Sequence, residues 1–212
     1  MPENRQFLSR AATWVANQGI GQFIDLGCGM PTAPNTHESV QAIDRDARVA
    51  YADNDPIVVN HLHALLAKGN PGVTVVDGDV RDVAAVLDGV RAGIDLSAPV
   101  CMVAGALLHF FTADAGRDLM AKYTAALAPG SYVVVSVLHL AETAAADEGF
   151  NAYRSKAAPV YSHPLPDVAS FFGELELLPP GMVDVRLWQP GWELPELPPR
   201  DNYTLVGVAR KQ

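Results

Sequence analysis

Five short apolar segments, Phe23–Leu26, Arg48–Ala52, Val73–Val76, Pro99–Ala104 and Ser131–Leu138, alternate along the chain with stretches of helical period. Strands separated by helices in this way call for a parallel sheet with right-handed crossovers. The Pro99–Ala104 run is apolar throughout, as suits a strand covered on both faces. Phe7, Leu8, Ala11, Ala12 and Val15 recur at helical spacing, and Gly19 closes that helix. Asn35 and Thr36 offer a cap for a helix to about Ile43, with Glu38 placed to answer Asn35 across the first turn. Pro56 opens a helix reaching Lys68, and further helices are expected over Arg81–Val90 and Ala113–Leu127.

The last third of the chain changes character. Two helical stretches, Glu142–Lys156 and Pro166–Glu174, flank a Pro-bearing loop, and Val183–Trp188 and Tyr203–Ala209 read as strands. No helix separates those two strands, so they should pair as an antiparallel hairpin at one sheet edge. The expected architecture is α/β: a Rossmann-like, doubly wound, mostly parallel seven-stranded sheet with a C-terminal antiparallel hairpin. Neither an internal repeat nor a linker divides the sequence, so residues 1–212 are expected to form a single domain.

Composition narrows the partners. Hydrophobic residues make up 49% of the chain, charged residues only 18%, and the formal net charge is −9. A polyanion would be repelled by such a surface, and no Lys/Arg cluster offsets it, so no nucleic-acid partner is expected. A freely diffusing small molecule suits the balance better. Cys28 and Cys101 stand far apart in apolar surroundings, a spacing that fits neither a disulfide framework nor a zinc site. The longest apolar stretch, Val100–Phe111, contains His109 and is too short for a bilayer. The expectation is a soluble, cytoplasmic protein with no membrane partner.

The chemistry concentrates where strands end. Asp25-Leu26-Gly27-Cys28-Gly29 follows the first strand directly, and glycines there let a ligand approach the backbone at the switch point of the sheet. The second strand ends at Asp53, roughly 26 residues beyond Gly27, where a carboxylate can accept both hydroxyls of a ribose. The third ends at Asp77-Gly78-Asp79-Val80, where an acid can receive an adenine amino group. Three acidic strand ends in register favour a nucleoside cofactor.

Those runs resemble class I S-adenosylmethionine-dependent methyltransferases. More narrowly, Leu26-Gly27-Cys28-Gly29-Met30-Pro31-Thr32-Ala33-Pro34-Asn35-Thr36-His37-Glu38 is similar to a mainly actinobacterial methyltransferase group first catalogued as a domain of unknown function. Arg48 through Pro56 and Trp188-Gln189-Pro190 share that similarity, which spans essentially the whole chain. The resemblance implies S-adenosyl-L-methionine as cofactor, with Gly27 and Gly29 facing its methionine part and Asp25 holding its amino group. It further implies that Asp53 binds the ribose, with Asn54 beside it. Asp79 would take the adenine amino group and the Val80 amide a ring nitrogen, while Asn35 and His37 complete the cofactor-side set. For His37, a structural hydrogen bond and a ligand contact are both open. Relatives usually carry a further N-terminal helical segment, and this sequence starts after it. That motivates the alternative of a cofactor-binding protein without turnover.

Pro31 departs from dinucleotide-binding loops. It has no N–H, so the next helix is deferred to Asn35–Thr36, which weakens an NAD(P)-dependent oxidoreductase reading because a pyrophosphate needs free amides there. His61 and His63 are two apart on a helix and form no metal pair, and no metal site is expected. His109 and His139 follow the fourth and fifth strands and are the candidates for a general base, although a satisfied structural histidine is the preferred reading of both. Tyr153, Tyr161 and His163 are the candidates for acceptor contact, from the segment between the fifth strand and the hairpin. Trp188 and Trp192 are read as edge packing, and Phe171 and Phe172 as helix packing.

Overall fold

A computed structural model of the chain describes residues 2–140, 159–189 and 202–212. In chain order the elements are α1 (Pro2–Asn17), β1 (Gln22–Leu26), α2 (Thr36–Gln41), β2 (Arg48–Asp53) and α3 (Pro56–Leu62), which continues into a π-helical turn at His63–Ala67. Then come β3 (Val73–Asp77), α4 (Val83–Val90), β4 (Cys101–Gly105), a 3₁₀ turn at Leu108–Phe110, α5 (Ala113–Ala125) and β5 (Tyr132–Leu140). They are followed by α6 (Leu165–Ser170), β6 (Glu176–Leu177), β7 (Val183–Asp184) and β8 (Asn202–Arg210). No helix among the described residues is long and apolar enough to cross a membrane.

The strands run in the order β3-β2-β1-β4-β5-β8-β6, with β7 also paired to β8. β1 to β5 are parallel, and β8 is antiparallel to β5. Connections leave β1 in one direction and β4 in the other, so the switch point lies between those two strands, at the Gly27–Gly29 turn. The sheet has eight strands rather than seven because its outer edge is broken in two. The Leu178 amide and the Val185 amide both donate to β8, at 2.8 Å each, on either side of Pro179-Pro180-Gly181. A proline has no N–H to give the ladder, so the pair forces the edge out of register for a turn. Both pieces pair antiparallel with β8.

Alternate residues of each strand face opposite layers. Ile24, Leu26, Met102, Val133 and Val135 pack with Val86, Val90, Leu119 and Met120 of α4 and α5. Phe23, Val49, Tyr51, Val103 and Val134 pack with Phe7, Ala11, Val15, Val40, Val58 and Leu62 of α1, α2 and α3. Asp25 falls by the same alternation on the α1–α2 side.

Three boundaries differ from expectation for local reasons. α4 starts at Val83 rather than Arg81, because the Asp82 side chain caps it by accepting from the Ala85 amide at 3.2 Å. α6 ends at Ser170, and Gly173 follows with φ +57°. The expected strand through Trp188 stops at Asp184, whose carboxylate accepts from the Arg186 amide and guanidinium, each at 2.9 Å, and turns the chain. Trp188 thereby enters the core instead of lying along an edge. The expected helix over 142–156, with Tyr153, and Trp192 lie outside the described residues.

Candidate functional site

The turn after β1 is fixed from both of its neighbours. The Gly27 amide donates to the Ala52 carbonyl at 2.8 Å, and the Gly29 amide donates to Asp53 Oδ2 at 2.9 Å. Asp53 Oδ1 accepts from the Asp55 amide at 3.0 Å, so one buried carboxylate ties the loop after β1 to the loop after β2. Gly27 and Gly29 have φ of +60° and +65°, a region L side chains rarely occupy. A Cβ on Gly27 would lie 2.7 Å from Leu107 Cδ1, whereas one on Gly29 would meet nothing within 4 Å. The backbone at Gly29 is therefore open to a ligand. Gly27→Ala should lower stability by about 1–2 kcal/mol, from left-handed strain and displacement of Leu107; an unaltered urea midpoint would show that the turn relaxes freely.

Asp25 sits beneath this turn, buried, and accepts the Thr36 hydroxyl at 2.6 Å. Burial pushes its carboxyl up to about 6; Thr36 opposes that rise and the charge of Asp53 adds to it. Thr36 is the first residue of α2, and its place follows from the capping box at Asn35, whose amide donates to Glu38 at 2.6 Å. His37 is buried against Tyr51. Its amide donates to the tyrosine oxygen at 2.8 Å and its Nδ1 lies 2.9 Å from the same atom. Burial lowers the His37 pKa.

At the ends of β2 and β3, Asn54 Nδ2 donates to Asp79 Oδ2 at 3.4 Å. Asp79 also accepts from Arg81 Nε, at 2.9 Å and 3.0 Å to its two oxygens, and from the Arg81 amide. Those bonds hold the Asp79 carboxyl down at about 2. Val80 is buried, and its carbonyl accepts from the Tyr123 hydroxyl at 3.0 Å.

A cavity of about 340 Å³ opens over the Gly turn. Asp25, Gly27, Gly29, Asn35 and Thr36 line it, together with Tyr51, the last residue of β4, Gly105, and Ala106 and Phe110 beyond it. Its outer wall is α1, through Asn4, Arg5, Leu8 and Ser9, which sequence reasoning missed because helix docking leaves no local trace. Met30 and Phe110 are 45% and 42% exposed and both border it, which makes one rim of the opening apolar.

The histidine candidates gather elsewhere. His163 is buried with its ring edge-on to Phe171 and Nε2 3.3 Å from the Leu108 carbonyl. His139 Nδ1 lies 2.8 Å from the His163 carbonyl, and the Tyr161 amide donates to the His109 carbonyl at 2.7 Å. His109 is buried, and its Nδ1 has no partner among the described residues; burial, then the charge of His163, pushes its pKa down to about 4, so the ring is neutral at physiological pH. Together they brace the 3₁₀ turn after β4. None of His109, His139, Tyr161 and His163 lines the cavity.

Over residues 1–212 the sequence matches the family model described as S-adenosyl methyltransferase. A protein from Thermobifida fusca, named only as a candidate methyltransferase, superposes with a TM-score of 0.88 at 36% identity, covering 99% of this chain and 80% of that one. A DUF574 family protein from Streptomyces avermitilis superposes with a TM-score of 0.85 at 33% identity, covering 100% of this chain and 84% of the other. The 1,6-didemethyltoxoflavin-N1-methyltransferase of Burkholderia thailandensis, with 1,6-didemethyltoxoflavin and S-adenosylhomocysteine bound, shares the fold at a TM-score of 0.55 and 18% identity, covering 96% and 78% of the two chains. No curated protein gives a match.

Proposed function

The chain belongs to the S-adenosyl methyltransferase family, and from that premise we propose that the methyl group goes to an oxygen, nitrogen or carbon nucleophile on a small molecule. The protein is a methyltransferase that uses S-adenosylmethionine. When bound, that cofactor supplies an electrophilic methyl on a sulfonium, already activated for transfer.

The residues fit such a group. The observation that carries the reading is Asp25: a buried carboxylate with a raised pKa, hydrogen-bonded to a hydroxyl and facing a cavity over an open glycine. A carboxylate so placed asks for a cation, and an α-ammonium is one. Asp53 keeps lone pairs beyond its two backbone bonds and can accept a ribose hydroxyl. Asn54 and Asp79 offer donors and acceptors for a purine edge, although the carboxylate of Asp79 is already shared with Arg81. The protein's own work is to hold the acceptor in line with the methyl and keep water away. Two features support a small, largely apolar acceptor: the net charge of −9 and the apolar rim at Met30 and Phe110.

Calorimetry with S-adenosylhomocysteine tests the cofactor site, and NADH serves as the control ligand. Asp53→Ala should weaken binding by about 1–3 kcal/mol, the worth of a hydrogen bond to a charged group; an unchanged Kd removes the ribose role. For the acceptor, methyl-labelled S-adenosylmethionine is incubated with the enzyme and a size-fractionated cell extract. Label confined to the low-mass fraction is expected. Label in protein or nucleic acid would overturn the acceptor class.

A further inference from the structure

Of the residues lining the cavity, two carry full charges of opposite sign, Asp25 and Arg5. They come from different elements, and among the described residues no ion pair joins them or pairs Arg5 with any other carboxylate. Arg5 also breaks a local rule. It stands at the start of α1, where the helix dipole favours an acid such as Glu3 and disfavours a cation. Violations of local preference concentrate at functional sites. Arg5 Nη1 donates to the Thr32 carbonyl at 3.1 Å, a surface bond that ties α1 to the extension of the Gly turn and keeps the guanidinium at the cavity mouth. A buried anion and a half-buried cation facing one cavity form a receptor for a zwitterion.

We propose that Arg5 is the carboxylate partner of the cofactor's α-amino acid end, so that α1 and the Gly turn close on that end from opposite sides. This inference rests on the cofactor reading above and names the residue that selects an intact amino acid over a bare thioether. Asp25 takes the ammonium; Arg5, with a planar fork of donors, takes the carboxylate. The Thr32 contact keeps one donor in place and leaves the others free for the ligand.

The test compares two ligands that share the nucleoside. S-adenosylhomocysteine carries the amino acid, and 5′-methylthioadenosine lacks it. Arg5→Gln should weaken S-adenosylhomocysteine about 10- to 100-fold, the range for a lost charge-assisted hydrogen bond, and leave methylthioadenosine unchanged. Arg5→Lys, which keeps the charge but not the fork, should fall between and guards against a variant that fails to fold. Equal losses for both ligands would mean that Arg5 merely docks α1, and no loss for either would remove it from the site; both outcomes overturn the proposal. Wild-type protein that binds neither ligand would overturn the cofactor reading itself.

Discussion

S-adenosylhomocysteine should bind the wild-type protein about tenfold more weakly for each pH unit below pH 6, and with constant affinity from there up to the pH at which its own ammonium begins to lose a proton. The cause is Asp25, whose carboxyl is pushed from an ordinary 3.8 up to about 6, mainly by burial. Below that value the group is protonated and offers an ammonium no charge. Binding near pH 6 should therefore release a proton, which calorimetry in buffers of different ionisation heat reads directly. The stability of the unliganded protein carries the same group with the opposite sense. Between about pH 4 and 6 the folded protein keeps a proton that the unfolded chain has lost, so stability falls as pH rises through that window. A rise of about two units corresponds to about 3 kcal/mol, present as a cost at every pH above 6. Asp25→Asn should accordingly stabilise the free protein by up to about 3 kcal/mol at pH 7.5 and by about half as much at pH 5, while abolishing the pH dependence of binding and weakening it. Equal stabilisation at the two pH values, measured by urea unfolding, would show that Asp25 is not the titrating group.

Asp25 was legible in the sequence because its surroundings are local: an apolar strand, two glycines and a delayed helix start. Thr36, which bonds it, could be read only as a cap, since the contact depends on how Pro31 to Pro34 fold back. The five parallel strands were legible for the same reason, each having enough residues to show its period. β6 was not, because two residues have no period to show. The strand expected through Trp188 fails at a turn whose signal, Asp184 two residues before Arg186, is weaker on paper than the apolar alternation around it. Asp79 was rightly placed at the end of β3, but its bond to Arg81 arises from a turn rather than a helix and changes what the carboxylate can still accept. The role of α1 in the cavity wall lies wholly in tertiary docking. Only Arg5, a cation where an acid is preferred, could have hinted at it.

That docking depends on Trp188, and its removal should produce the largest loss of stability of any substitution considered. Trp188 is 1% exposed and meets α1 edge-on at two rings, Phe7 at 5.4 Å and Trp14 at 6.2 Å between centroids. Its indole nitrogen has no hydrogen-bond partner among the described residues, so what Trp188→Ala deletes is chiefly packing. The expected cost is about 3–5 kcal/mol, from lost burial and the cavity left behind. For a chain of this size that corresponds to a fall in Tm of roughly 10 °C. The site should feel the change as well, because α1 presents Asn4, Arg5 and Leu8 to the cavity. Phe7→Ala, which empties the other half of the same contact, should lower both Tm and affinity for S-adenosylhomocysteine in parallel. Leu127→Ala acts as the control: it opens the opposite layer, which contains α4 and α5, at the end of the sheet away from the Gly turn, and should lower Tm with little change in affinity. If Trp188→Ala melts early but the folded fraction binds with the wild-type Kd, α1 contributes a wall without contributing affinity, and the link from this contact to the site is broken.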